Sequence, residues 1–324
     1  MRIGRHIPTG SQPGQALQRA KAIGCEAVQV FVTNPRGWAV PATDPRRETV
    51  FRAATEELGL GPVVVHATYL INLASPRDDF FARSTDLLRA TLERAGRHGA
   101  SDVVVHIGSH MGSGVETGLG RLAEGVRRVL DDAQPGPRLL LENDVGAGGE
   151  IGNRFEHLAD VLAAAPDHRA RLGVCIDTAH LWGAGFDIGT REGAENVLMD
   201  IDRVIGLDRV RVVHLNDTSV ALGSHRDIHA RVGEGIIGQE GLATLLRAPG
   251  LAHTAVILET PIREETPGKS DWAHETAHLR RVLALAGRPV ATDAPDEPNP
   301  AGDADTDAPR ARTRAPRTKV GVSR

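Results

Sequence analysis

Short β-branched apolar runs alternate along this chain with longer segments of helical periodicity, and that alternation restricts the possible folds more than any other feature. The runs lie at residues 3–7, 27–32, 62–65, 102–107, 139–141, 172–176, 210–215 and 255–258. Helix-like segments fall between and after them, at 12–23, 46–58, 79–98, 118–132, 155–165, 194–205, 239–246 and 271–286. Eight strand–helix units in about 285 residues predict a (β/α)8 TIM barrel, because an open doubly wound sheet rarely needs so many. Residues 1–287 are therefore read as one catalytic barrel domain.

The residue that closes each run carries the chemistry. From the third run onward the closing residues are His66, His106, Glu142, Asp177, His214 and Glu259, with His180 three positions after Asp177. The carboxyl ends of parallel strands are where α/β folds bind ligands, since side chains from several strands converge there. Asp227 and His229, two residues apart, would face one way in an extended segment. Taken singly, Asp177 could cap the next helix and His180 could pack in its turn. Five imidazoles and four carboxylates at one barrel end are harder to dismiss, since buried charges cost several kcal/mol unless paired, and divalent cations pair them. Mixed nitrogen and oxygen donors suit zinc or manganese, and nine exceed what one ion uses, so more than one metal is expected.

Composition excludes other classes. No apolar run approaches the roughly 18 residues of a membrane span, and the amino terminus lacks a signal-peptide core, so a cytoplasmic protein with no membrane association is expected. Cys25 and Cys175, in or beside apolar runs, suit a reducing compartment and give no disulfide or Cys-ligated zinc framework. The formal net charge of −4 argues mildly against nucleic acid, though bound cations count for more than that total. Residues 288–324 lose apolar periodicity and read as a disordered tail, acidic to Asp307 and then basic. The segment Gly146-Ala-Gly-Gly-Glu150 matches no dinucleotide or phosphate loop, so no dinucleotide cofactor is expected; it reads as a flexible loop.

His66-Ala-Thr-Tyr-Leu70, His106-Ile-Gly-Ser-His110, Glu142-Asn143, Gly173-Val-Cys-Ile-Asp-Thr-Ala-His180, His214-Leu-Asn-Asp217, Asp227-Ile-His229 with Gly233-Glu-Gly235, and Leu258-Glu-Thr260 together closely resemble endonuclease IV. The resemblance runs from Ile3 to about Ala286 and fills every ligand position in order. It implies a monomeric trinuclear zinc enzyme, with manganese possible at one site, that cuts double-stranded DNA at abasic sites. On that pattern His66 and His106 hold one zinc, Asp177, His214 and Glu259 a second, and Glu142 bridges them; His180, Asp227 and His229 hold the third. Glu142 would also orient the attacking hydroxide as the catalytic carboxylate. Arg36, Tyr69 and Leu70 fall where the family inserts side chains into the base stack beside the lesion, trading unstacking for a bent duplex. Arg5-His6-Ile7-Pro8 and Asp144 depart from the family's usual residues.

Two rivals remain at this point. A sugar isomerase or epimerase needs only Glu142, Asp177, His214 and Glu259 around one metal, and leaves His66, His106, Asp227 and His229 unexplained. His274-Glu-Thr-Ala-His278 matches the HExxH pattern of metalloproteases. Asp271, His274, Glu275, His278 and Arg281 share one helical face opposite Trp272, Leu279, Val282 and Leu283, which reads as the solvent side of an outer helix.

Overall fold

In the computed structural model, whose described residues are 1–290, the predicted alternation closes on itself. The order is β1 (Arg2–His6), α1 (Pro13–Ala22), β2 (Ala27–Val30), α2 (Pro45–Glu57), β3 (Val63–His66), α3 (Asp78–Arg97), β4 (Asp102–His106), α4 (Val115–Asp132), β5 (Arg138–Glu142) and α5 (Phe155–Ala163). It continues with β6 (Leu172–Asp177), α6 (Thr178–Ala184), α7 (Arg191–Val204), β7 (Val210–His214), α8 (Gln239–Arg247), β8 (Ala255–Leu258), the pair β9 (Glu264–Thr266) and β10 (Lys269–Ser270), and α9 (Trp272–Leu285). Strands β1 to β8 pair in parallel in sequence order, and β8 returns to pair with β1. This is the (β/α)8 barrel that the periodicity predicts.

Two apolar layers hold it together. One lies between strands and helices: α4, for example, presents Leu122, Val126, Val129 and Leu130, all buried, along a stripe of helical spacing. The other fills the barrel interior with Ala27, Val64, Val104, Leu140, Cys175, Val212 and Ile257 from β2 to β8, together with Ala255 of β8. On β1 the corresponding residue is Gly4, which no larger residue could replace, since a Cβ there would meet the Ala27 carbonyl oxygen at 1.7 Å. Because side chains alternate along a strand, the inward position two residues further on stands at the carboxyl mouth.

The structure corrects the sequence reading in three places. Glu275 and His278 are buried, at 0% and 3% exposure, on one stripe with Leu279 and Val282, so the inner face of α9 mixes polar and apolar side chains. It does so because Arg5 leaves β1 outward and, at 1% exposure, pairs with Glu275; Arg231 donates to the same carboxylate at 2.9 Å. The loop at residues 146–150 is a pinned turn. His110 donates its backbone N–H to the Gly149 carbonyl (2.8 Å), and Ala147 donates to Glu150 Oε2 (2.8 Å). Arg288, counted with the tail, belongs to the barrel, where its guanidinium grips both Glu26 oxygens at 2.6 Å. The remaining tail from residue 291 lies outside the described residues. Among the described residues no helix is long and apolar enough to cross a membrane.

Candidate metal centre

At the carboxyl mouth the next inward positions of β1 to β7, with the residue that follows β8, are His6, Gln29, His66, His106, Glu142, Asp177, His214 and Glu259. All eight strands therefore contribute a polar side chain to one ring. Gln29, His66, Glu142, Asp177 and His214 are buried, an arrangement that costs free energy unless each is paired.

The donors gather into groups whose ligand atoms lie within 4.8 Å of one another: His66, His106 and Glu142; Glu142, Asp177, His214 and Glu259; and Asp177, His180 and His229. Glu142 belongs to the first two and Asp177 to the last two, so the three groups are contiguous. Asp227 approaches the third, with Oδ1 3.3 Å from His180 Nε2 and 3.0 Å from His229 Nε2. Asp177 uses both oxygens: Oδ1 accepts from the His180 backbone N–H and caps α6, while Oδ2 accepts from Asn216 and faces His229 at 3.6 Å. The helix-capping reading and the ligand reading thus coexist on one carboxylate.

Backbone geometry holds the outlying donors. Asp217 accepts from Gly233 (3.0 Å), Gly235 (3.2 Å) and Ile237 (3.0 Å), folding the loop after β7 so that Asp227 and His229 reach the ring. A Cβ at Gly235 would lie 2.2 Å from Asp217 Oδ1, so this wrap requires glycine.

The hydrogen-bond pattern decides which ring nitrogens face inward. His66 Nδ1 lies 2.7 Å from the Ala67 carbonyl and His180 Nδ1 2.8 Å from the Asn143 carbonyl. A carbonyl only accepts, so each Nδ1 carries its hydrogen and leaves the Nε2 lone pair toward the carboxylates. Glu142 Oε2 is buried with no hydrogen-bond partner, although His66 Nε2 and His106 Nε2 stand 3.4 and 3.6 Å from it. An orphaned acceptor facing lone pairs is what a donor set looks like when a cation belongs between its members, and the residues present fit divalent metal.

Electrostatics agree. Burial is the largest influence on His106 and acts downward, yet Glu142 and Asp144 outweigh it and raise the imidazole to about 9. His229, likewise lowered by burial, is raised to about 9 by Asp177 and Asp227. Burial works against ionised Glu142, but His106 and His214 hold it well below the usual carboxylate range. Such groups attract protons that a cation would displace. Cys175 Sγ also comes within reach of Glu142 and His214, but burial and then Glu142 raise its thiol well above the ordinary value, and a protonated thiol is a poor ligand.

Arg36, Tyr69 and Leu70 lie on the loops after β2 and β3. Tyr69 is 58% exposed and Arg36 is exposed, with Leu70 half-buried beside them. Of these only Tyr69 lines the cleft, about 660 Å³, whose walls include His66, His106, Glu142, His180, Asp227, His229 and Glu259, with Glu264 and Ser270 of the β9–β10 hairpin. Strand-end reading missed His6 and Gln29. The period-two alternation of β1 and β2 could have found both, had the second run been ended at Val30 instead of Val32.

Known proteins share this barrel and much of its sequence. The family model described as "Xylose isomerase-like TIM barrel" matches residues 17–282. A protein named "Probable endonuclease 4" from Halothermothrix orenii is 41% identical over 261 residues, covering 81% of this chain and 94% of its own. Another so named, from Natranaerobius thermophilus, is 39% identical over 89% of this chain and 99% of its own. The crystal structure of endonuclease IV from Thermus thermophilus superposes with a TM-score of 0.76 at 37% identity, covering 88% of this chain and 99% of that one. D-psicose 3-epimerase from Clostridium cellulolyticum H10 shares the fold, with a TM-score of 0.65 at 14% identity over 89% of this chain and 98% of its own.

Proposed function

This chain belongs to the endonuclease IV family and is a DNA-cleaving hydrolase, and on that footing we propose that it incises the DNA backbone 5′ to abasic sites in base excision repair, as a zinc-dependent phosphodiesterase. The observation that carries the reading is the contiguity of the three donor groups through Glu142 and Asp177. A one-metal epimerase accounts for Glu142, Asp177, His214 and Glu259 but gives no reason for His66, His106, His180, Asp227 and His229 to converge on the same carboxylates.

His66 and His106 would hold one ion, Asp177, His214 and Glu259 a second, with Glu142 between them, and His180, Asp227 and His229 the third. When bound, such cations supply Lewis acidity that activates water near neutral pH and neutralises charge on a phosphate. Four ligand carboxylates against three divalent ions leave a formal sum of about +2, which attracts a phosphate despite the chain's negative total. Glu142, with one oxygen unpartnered, would orient the attacking oxygen. Partial desolvation at the barrel mouth, then Glu259 and Glu142, raise the Tyr69 phenol to about 12, so although the residue is 58% exposed overall it meets DNA as a neutral group beside Leu70 and Arg36. The enzyme would work as a monomer on double-stranded DNA in the bacterial cytoplasm, at the nucleoid.

The test is elemental analysis of the purified protein alongside incision of a duplex with one abasic site. Close to three ions per chain, mainly zinc, and a single cut 5′ to the lesion are expected. A reproducible ratio of one in fully active protein, or an uncut abasic duplex, would overturn the reading.

A further inference from the structure

Gln29 is fully buried at the barrel mouth and belongs to no donor group, yet it touches two proposed ligands and His6. Its Nε2 lies 2.7 Å from Glu259 Oε1 and 3.2 Å from His6 Nδ1, and its Oε1 lies 2.8 Å from His214 Nε2. An ionised carboxylate only accepts, so the amide nitrogen must face Glu259, and the amide oxygen must then face His214. That oxygen accepts only if His214 Nε2 carries the hydrogen. His214 Nδ1 is left with its lone pair, 2.7 Å from Glu142 Oε1 and 3.3 Å from Glu259 Oε2.

Two acceptors at such a distance repel unless a proton or a cation stands between them. His66 and His180 have their ring hydrogens fixed by backbone carbonyls, which any sequence would supply. His214 alone among these three depends on a side chain. Gln29 also divides the work on Glu259 with Asn216, which donates to Oε2 at 3.1 Å. Each carboxylate oxygen therefore has an amide donor that sets its direction.

We propose that Gln29 is a positioning residue of the metal centre: its amide fixes His214 in the tautomer whose Nδ1 is the ligand atom and aims Glu259 at the same ion. The inference rests on the metal-centre reading above. Groups that orient a ligand in this way typically contribute 10–100-fold in metal affinity.

The experiment compares wild type with Gln29→Met, which keeps the length but removes donor and acceptor. Zinc retention is measured by chelator competition, and histidine nitrogen NMR of the zinc-loaded protein reads the tautomers. In wild type, His214 is expected to show a protonated Nε2 and a metal-shifted Nδ1. Gln29→Met should hold about one ion per chain 10–100-fold more weakly while retaining the others, and excess zinc should restore incision. Gln29→Glu should keep the His214 tautomer but still weaken that ion by losing the donor to Glu259. Retention in Gln29→Met equal to wild type, or a wild-type His214 bound through Nε2, would overturn the proposal. Should Gln29→Met fail to fold, the wild-type spectrum decides the question alone. Wild type without stoichiometric zinc would instead overturn the metal-centre reading, so the two failures are distinct.

Discussion

Thr68 donates its hydroxyl to the Pro35 carbonyl at 2.7 Å, and the neighbouring Tyr69 backbone N–H reaches the same oxygen at 3.2 Å. One carbonyl thus joins the loop that carries Arg36 to the loop that carries Tyr69 and Leu70. The first loop is anchored at its base as well: Arg94 donates to the Val32 carbonyl (3.0 Å) and the Pro41 carbonyl (3.0 Å), and Trp38 lies against Phe80 and under Arg83. Side chains that probe a duplex, as proposed for Arg36, Tyr69 and Leu70, would need such bracing, since unstacking a base step costs a few kcal/mol.

Tyr69→Ala with Leu70→Ala should therefore weaken binding to an abasic duplex by about tenfold or more, the equivalent of about 1.4 kcal/mol, with metal content unchanged. Thr68→Val should produce a smaller loss of the same kind. Arg36→Ala should reduce the slope of log affinity against log salt by roughly one. Affinities for abasic and intact duplexes of one sequence, at two salt concentrations, check all three; a double variant that kept the wild-type preference would refute the wedge assignment.

Glu259→Ala and His214→Ala each remove a donor from the group shared with Glu142 and Asp177. Incision should be abolished in both, with far-ultraviolet circular dichroism close to wild type. Activity surviving in either would remove that residue from the site.

The HExxH match on α9 leads to a different pair of outcomes. Glu275 accepts from Arg5, Arg231 (2.9 Å) and the Arg263 backbone N–H (2.8 Å) in a fully buried setting. Glu275→Ala would leave buried guanidinium groups uncompensated and should cost about 3–5 kcal/mol in urea unfolding. His274→Ala should leave incision unchanged. A His274 variant that lost activity with its zinc would return the protease reading to consideration.

Acid should destabilise the protein partly through His278. Burial, then Arg5 and Arg231, lower this imidazole to about 3, and its Nε2 accepts from the Val232 backbone N–H at 3.1 Å. The unfolded chain binds a proton near the ordinary value of 6.5 while the folded chain does not, so the contribution is intact above pH 6.5 and lost as pH falls from there toward 3. At pH 5 the loss is about 2 kcal/mol. His278→Gln, which offers an acceptor that cannot titrate, should flatten the stability curve between about pH 7.5 and about pH 5. An unchanged slope would assign the acid sensitivity to other groups.

The barrel was legible in the sequence because short apolar runs alternate with helical segments; seven of the nine candidate ligands stood out because they close a run or follow it within three residues, and Asp227 and His229 only through their two-residue spacing. Gln29 was not, since it sits inside an apolar run that continues in sequence beyond the strand's true end at Val30. The seven-residue α6 was missed because it follows Asp177 directly and is too short to show a period. The β9–β10 hairpin, Glu264–Thr266 and Lys269–Ser270, has no apolar alternation to reveal it, yet it forms one wall of the cleft. For α9 the period did not separate the faces: Glu275 and His278 lie on the same buried stripe as Leu279 and Val282. Their partner Arg5 stands on a distant strand, and local periodicity carries no such information.

The enclosed Arg5–Glu275 pair ties the ancestry of this fold to its energetics. Residues 270 positions apart in the chain share one charge balance. A lineage that replaced Arg5 with an apolar residue would pass through a form carrying an unpaired buried carboxylate, unless Arg231 alone balanced it. Positions 5 and 275 should therefore drift together among relatives, and a chimaera that takes its first strand from one parent and its last helix from another should fold only when the two parents agree at both positions.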